Sequence, residues 1–190
     1  KVIRHTACPV MTVREEASLA GEQDVAFRDV LAPIDFSDPA RQALEVSKAF
    51  AGAYHARLHL LFVAEKRTVP TFSDTGIPGV GVVEMDPKIV ENAEQALAQL
   101  DADVDGPEVE THYHVRKGTV SETIVDVAED AEVGLIVMAT RGLTGASRFL
   151  LGSNTERVVR GAPCPVLTIP TAAQETTDDG GQMSDSHERT

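Results

Sequence analysis

Leu135-Ile-Val-Met-Ala139, running on into Thr140-Arg-Gly-Leu-Thr-Gly-Ala-Ser-Arg-Phe-Leu-Leu-Gly-Ser-Asn-Thr155, is the stretch that decides the fold. An unbroken apolar run of strand length is what a strand buried on both faces looks like. The glycine-rich loop 140–152 follows it, and the spacing then predicts a short helix over about 153–161 and a last strand from Pro165 to Ile169. Working back toward the start, Asp29–Asp35 is a short apolar run that ends in turn chemistry. Ser37-Asp38-Pro39 then offers a cap and a first-turn proline. Ala43, Leu44, Ser47, Phe50, Ala51 and Tyr54 fall on one helical face. Leu58–Val63 is a second apolar strand, and residues 65–86, rich in Gly, Pro and Thr, read as a long loop. Ile89, Ala93, Ala96, Leu97 and Leu100 form another helical stripe, Val109–Val115 alternates like a strand, and Val120, Ile124, Val127, Ala128 and Ala131 mark a third helix. Strands alternating with helices of this length imply βαβ units: an α/β fold, an open five-stranded parallel sheet with helices on both faces, Rossmann-like. Such sheets bind ligands beyond the carboxyl ends of their strands, where the strand order reverses. That singles out Asp35, Val63 and Ala139 onward.

The loop after Ala139 carries the strongest chemical signal. Gly142, Gly145 and Gly152 allow a ligand to approach the backbone closely. Ser153 and the unpaired amides at the start of a helix form an anion site. Arg141, Arg148, Arg157 and Arg160 against Glu156 make the region locally positive in an acidic chain, so phosphate is the natural guest. A plain glycine turn with solvated arginines is the other reading of the same residues. The loop has no Walker-type lysine, and the chain has no G-x-G-x-x-G.

The segment resembles the nucleotide-binding members of the universal stress protein family, whose motif is G-x2-G-x9-G-(S/T). The matching residues are Ala139, Gly142, Gly152 and Ser153. Val30-Leu-Ala-Pro-Ile-Asp-Phe-Ser37 is similar to the family's first strand and turn, and Leu135-Ile-Val-Met and Cys164-Pro-Val-Leu are similar to its fourth and fifth strands. The resemblance spans about residues 29–170. It implies a stress-response regulatory module that binds an adenine nucleotide and forms a homodimer or pseudo-dimer through the last strand. By position, Pro33, Asp35 and Val63 would line the adenosine half, Asp35 bonding the ribose and Val63 flanking adenine. Ala139, Thr140, Arg141, Gly142, Gly145, Gly152, Ser153, Asn154 and Thr155 would cradle the phosphates of ATP, or of AMP or ADP, with Mg²⁺ bridging phosphate oxygens. Ala139 stands where the motif has its first glycine, and its Cβ would crowd the phosphates or change the backbone. A slow metal-dependent ATP hydrolase, or an interaction module that has lost nucleotide binding, are the alternatives. For Asp35 the other reading is a carboxylate capping a Ser/Asp turn.

The start of the chain repeats its end. Lys1–Val13 aligns without gaps on Arg157–Ile169 at an offset of 156, with six of 13 positions identical. An internal repeat on this scale takes precedence over other readings. Residues 1–13 are therefore expected to be the last helical turn and last strand of a preceding copy, 14–28 a linker, 29–170 the domain and 171–190 a flexible acidic tail. The chain would then be the C-terminal copy of a tandem protein, and residues 9–13 should pair beside Val166–Ile169.

The remaining composition narrows the partners. The charge of −13, from 17 basic and 30 acidic residues, disfavours nucleic acid. No apolar stretch approaches the ~18 residues of a membrane span, and a cytoplasmic protein is expected. Only five of the basic residues are Lys, and an acidic, Lys-poor surface suits concentrated salt. His112 and His114 share a strand face, a spacing that suits metal or two satisfied polar residues. Cys8 and Cys164 stand at equivalent positions of the repeat and read as free buried thiols, or as thiols that approach each other where two copies pair. Neither a nucleophile elbow nor a Cys/His pair points to covalent catalysis.

Overall fold

A computed structural model describes residues 3, 6, 8–13, 27–65, 68–72, 78–82, 87–141 and 151–170. The strands are β1 (Val10–Thr12), β2 (Asp29–Ile34), β3 (Arg57–Glu65), β4 (Thr68–Phe72), β5 (Pro78–Val82), β6 (Thr111–Gly118), β7 (Leu135–Ala139) and β8 (Val166–Ile169). The helices are α1 (Asp38–Tyr54), α2 (Pro87–Asp103), α3 (Val120–Asp130) and α4 (Ser153–Gly161). The main sheet has the order β1-β8-β7-β2-β3-β6. Five of these strands are parallel, as expected; β1 joins as a sixth, antiparallel to β8. The expected pairing of residues 9–13 with the last strand is thus present, within one chain.

Alternation along the strands sorts the core into two layers. Val30, Leu58, Leu60, Leu135 and Val137 meet Leu44 and Ala51 of α1 and Leu97 and Leu100 of α2 on one face. Leu31, Leu61, Val63, Ile136 and Met138 meet Ile124 and Val127 of α3 and Val158 of α4 on the other. Ser37 caps α1, its hydroxyl accepting from the Ala40 amide at 3.3 Å, with Pro39 in the first turn. Lys48, on the buried face of α1, donates from Nζ to the carbonyls of Asp101 (2.7 Å) and Val104 (2.9 Å) and lies 3.2 Å from the Asp101 carboxylate. It thereby satisfies carbonyls that the end of α2 cannot satisfy itself.

Two expectations shift. Residues 65–86 are not one loop: β4 and β5 pair antiparallel, Thr68 opposite Val82 through Phe72 opposite Pro78. Every strand of a two-stranded ribbon is an edge, which is why Pro70 and Pro78 are tolerated there. Phe27, counted with the linker, packs its ring on Phe50 (5.0 Å between centroids) and Tyr54 (5.4 Å), so the packed domain begins before Asp29. Residues 14–26 of the linker and the tail 171–190 lie outside the described residues.

Candidate functional site

The strand order reverses between β2 and β7, and the sheet opens there. The β2–β7 ladder ends at Leu31 opposite Ile136. The flanking ladders run further, β2–β3 to Ile34 opposite Phe62 and β7–β8 to Ala139 opposite Ile169. The carboxyl ends of β2 and β7 are therefore held by outer neighbours and not by each other, which leaves a crevice with Asp35 on one side and Thr140 on the other. Val63 follows Phe62, the last β3 partner of β2, just as Asp35 follows Ile34.

The β2 wall is a tight turn. Asp35 Oδ1 accepts from the Ser37 amide (3.0 Å) and from the Ser37 hydroxyl, whose oxygen accepts in turn from α1. Asp35 is thus a turn-capping carboxylate in this structure, a role compatible with a further bond to a ligand. Between them Phe36 takes φ +62°, a left-handed backbone that costs a bulky residue energy and tends to mark functional turns. Its ring is exposed and lies 5.3 Å from that of Phe62. Sequence reading passed over this aromatic step; a phenylalanine between a strand-end Asp and a cap Ser was the available signal. Pro33 is half-buried in β2, and Val63 is buried on the α3/α4 face.

The β7 wall joins directly to the start of α4. Thr155 is buried and its hydroxyl donates to the Ala139 carbonyl at 3.1 Å. The Gly152 amide donates to the Thr140 carbonyl at 2.8 Å, and the Thr140 amide to Ile169 at 2.9 Å. Gly152 has an ordinary φ of −57°; what requires glycine is proximity. A Cβ there would lie 3.2 Å from the Thr140 carbonyl oxygen and 3.5 Å from Thr155 Oγ1. The first intrahelical bond of α4 runs from the Glu156 amide to the Gly152 carbonyl. Helix geometry leaves the amides of Ser153, Asn154 and Thr155 without an intrahelical acceptor, at the positive end of the helix dipole. Ser153 is exposed, Asn154 and Arg141 half-buried. Gly142 and Gly145 lie outside the described residues.

Ala139 does not distort the strand. It remains in regular β7, and its side chain belongs to the α1/α2-face cluster with Ile34, Val137 and Ile169. α4 packs on the opposite face, through Val158. The methyl that replaces the motif's glycine therefore fills the core.

His112 and His114 flank a third histidine. Among the described residues no group of three His, Cys, Asp or Glu is placed to hold a metal ion. Instead both rings stack on buried His59, each 5.2 Å from it. His59 Nδ1 lies 2.9 Å from His114 Nε2, and His59 Nε2 lies 2.8 Å from Asp29 Oδ1. Arg57 closes the chain on Asp29 at 2.8 Å. Burial alone would raise the Asp29 carboxyl, but bonds from Arg57 and then His59 outweigh it and hold it below the usual carboxylate range. Burial, then the neighbouring His59, pushes His114 down to about 4. Both cysteines are free, but only Cys164 is buried as expected, its thiol pushed up to about 11 by desolvation; Cys8 precedes the edge strand β1 and is exposed.

Comparison with known proteins places the architecture. The sequence model of the Universal stress protein family matches residues 26–170. The chain belongs to the universal stress protein family. Universal stress protein MJ0531 of Methanocaldococcus jannaschii is 31% identical over 150 residues, 78% of this chain and 85% of that protein. Universal stress protein YxiE of Bacillus subtilis is 32% identical, covering 75% and 99%. Among solved structures, UspA of Lactobacillus plantarum superposes with a TM-score of 0.57 at 26% identity, covering 75% of this chain and 97% of that one. A universal stress protein solved in complex with cAMP shares the fold, with a TM-score of 0.55 at 18% identity, covering 77% and 99%. The stretches of this universal stress domain that resemble the family's first, fourth and fifth strands form β2, β7 and β8. No helix among the described residues is long and apolar enough to cross a membrane.

Proposed function

We propose that this universal stress domain binds an adenine nucleotide in the crevice between β2 and β7 and acts as a regulatory module, through ligand-dependent shape or association rather than turnover. The observation that carries the reading is the junction of β7 and α4. There the Gly152 and Thr155 bonds to the ends of β7 fix an exposed, amide-bearing helix start at the point where the strand order reverses. The fit of a phosphate is favourable: the crevice offers a positive helix end and Arg141 rather than a carboxylate cluster, and the absence of a Cβ at Gly152 lets the start of α4 pack closely on the Thr140 carbonyl. Asp35, Pro33 and Val63 are at hand for the adenosine half. The buried methyl of Ala139 points into the core, which favours retained binding over a module that has lost it. The universal stress protein solved with cAMP lends the same fold an adenine nucleotide as partner. Mg²⁺ would arrive with the phosphates.

The test is native mass spectrometry of the purified protein for bound nucleotide, followed by calorimetric titration with AMP, ADP, ATP and cAMP, with and without Mg²⁺. Binding of at least one of them is expected. No binding at millimolar nucleotide overturns the proposal. Steady phosphate release, lost in Gly152→Val, would move the reading to a slow hydrolase.

A further inference from the structure

Phe36 stands in a costly place. The Asp35 carboxylate accepts from the amide and hydroxyl of Ser37, and the Ser37 carbonyl accepts from the Arg41 amide at 3.0 Å as α1 begins. Phe36 is thus pinned between two anchored residues, at a left-handed φ of +62° that a glycine would take without strain. Burial offsets that strain only in part, because the ring is 42% exposed. Half-buried Phe62 meets one side of it, at 5.3 Å and a tilt of 49°, and itself packs on the α1/α2-face cluster. Among the described residues the other large exposed apolar side chains are Met11 and Val13 at β1, Tyr54 at the end of α1 and Tyr113 on β6. Phe36 is the one that stands just past the carboxyl end of β2, beside the crevice. Val63, at the corresponding point of β3, is 9% exposed, and its side chain belongs to the cluster with Ile124 and Val127, so it offers a ligand little surface.

We propose that the Phe36 ring, backed by Phe62, is the platform on which the base of a bound nucleotide stacks. The platform rests on the nucleotide reading above and adds what the crevice selects: a flat heteroaromatic ring as well as a phosphate. With phosphates at the start of α4 and a sugar at Asp35, the next group along the ligand meets the next residue along the chain, which is Phe36. Every base has a π-face, and an aromatic side chain already held in one place loses little freedom in stacking on it. The strained turn supplies that fixity: Phe62 and the two bonds to Asp35 hold the ring and its backbone before a ligand arrives.

The full chain contains no tryptophan, so Phe36→Trp introduces a single indole at the platform. Its emission is expected to change saturably with ATP or AMP, at the affinity that calorimetry gives for the same variant, and to stay still with tripolyphosphate. Phe36→Leu keeps the bulk and the strained backbone but has no aromatic face, and its affinity for ATP should fall about five- to thirtyfold. Phe36→Tyr keeps the face and should bind within about twofold of the parent. The urea midpoint shows whether the leucine variant is folded; where it is not, the tryptophan emission decides alone. A folded leucine variant that binds ATP as the parent does overturns the platform. So does an equal loss in the tyrosine and leucine variants, or an indole that tripolyphosphate moves as far as ATP does, or one that ATP binding leaves unmoved. A parent that binds no nucleotide overturns the reading of the crevice itself, and the platform with it.

Discussion

Replacing Thr155 by valine isolates the fastening between β7 and α4. Thr155 is 3% exposed, and its hydroxyl is the donor to the Ala139 carbonyl at 3.1 Å. Valine keeps the shape and removes that donor, leaving a buried carbonyl short of one bond. The expected loss of stability is about 1–2 kcal/mol. Thr155→Ser keeps the hydroxyl and loses one buried methyl, a loss of about 0.8 kcal/mol. The two variants should therefore differ in what they do to the crevice. With its first turn no longer tied to β7, α4 presents its amides less well, and nucleotide affinity should fall about five- to tenfold in Thr155→Val, the equivalent of about 1–1.4 kcal/mol. Thr155→Ser should bind within about twofold of the parent, well under 1 kcal/mol. Urea unfolding followed by circular dichroism gives the first quantity and calorimetric titration the second. A valine variant as stable as the parent would refute the fastening. Equal loss of affinity in the valine and serine variants would show that the hydroxyl does not position the helix.

Further outcomes follow from other parts of the fold. Lys48→Met strands two carbonyls at the end of α2 and the buried Asp101 carboxylate oxygen, and should cost about 2–4 kcal/mol in urea unfolding, with nucleotide binding spared. Stability should decline as pH falls from the ordinary histidine value of 6.5 toward about 4, because the unfolded chain takes up a proton that folded His114 refuses. It should decline again below the ordinary aspartate value of 3.8, as protonation overtakes the depressed Asp29 carboxyl. His114→Asn should flatten the first slope and leave the second, in urea midpoints measured across that range. Gly152→Val should abolish nucleotide binding in titration, since even its Cβ would press on the Thr140 carbonyl at 3.2 Å. If the acidic, Lys-poor composition is an adaptation to concentrated salt, the melting temperature should climb steadily into molar KCl.

The parallel sheet was legible because its strands are short apolar runs separated by helices with clear faces. Leu135–Ala139 followed by a glycine loop could hardly be anything else. The β7–α4 half of the site was legible for the same reason, since Gly152 and Ser153 sit at a strand-to-helix turn. Other features depend on contacts across the fold and leave little trace in local pattern. The β4–β5 ribbon was hidden by Pro and Gly, which mark loops more often than edges. Lys48 looked like any helix lysine until α2 laid its carbonyls beside it. His59 sits in an apolar run 53 residues from His112, and only the β3–β6 register, His59 opposite His112, brings the rings together. The sequence offers Thr155 as a phosphate contact and gives no sign that its hydroxyl also bonds the Ala139 carbonyl and ties α4 to β7, since that bond spans 16 residues.

The linked Arg57, Asp29, His59 and His114 side chains sit where β2, β3 and β6 begin, while the crevice lies where β2 and β7 finish. From His59 to Val63 along β3 is four residues, roughly 13 Å of extended chain. Acid therefore attacks the sheet from the pole opposite the crevice. A fall in pH would soften the base of this domain before it reached the crevice, since the groups whose proton affinity burial and pairing displace lie at the base.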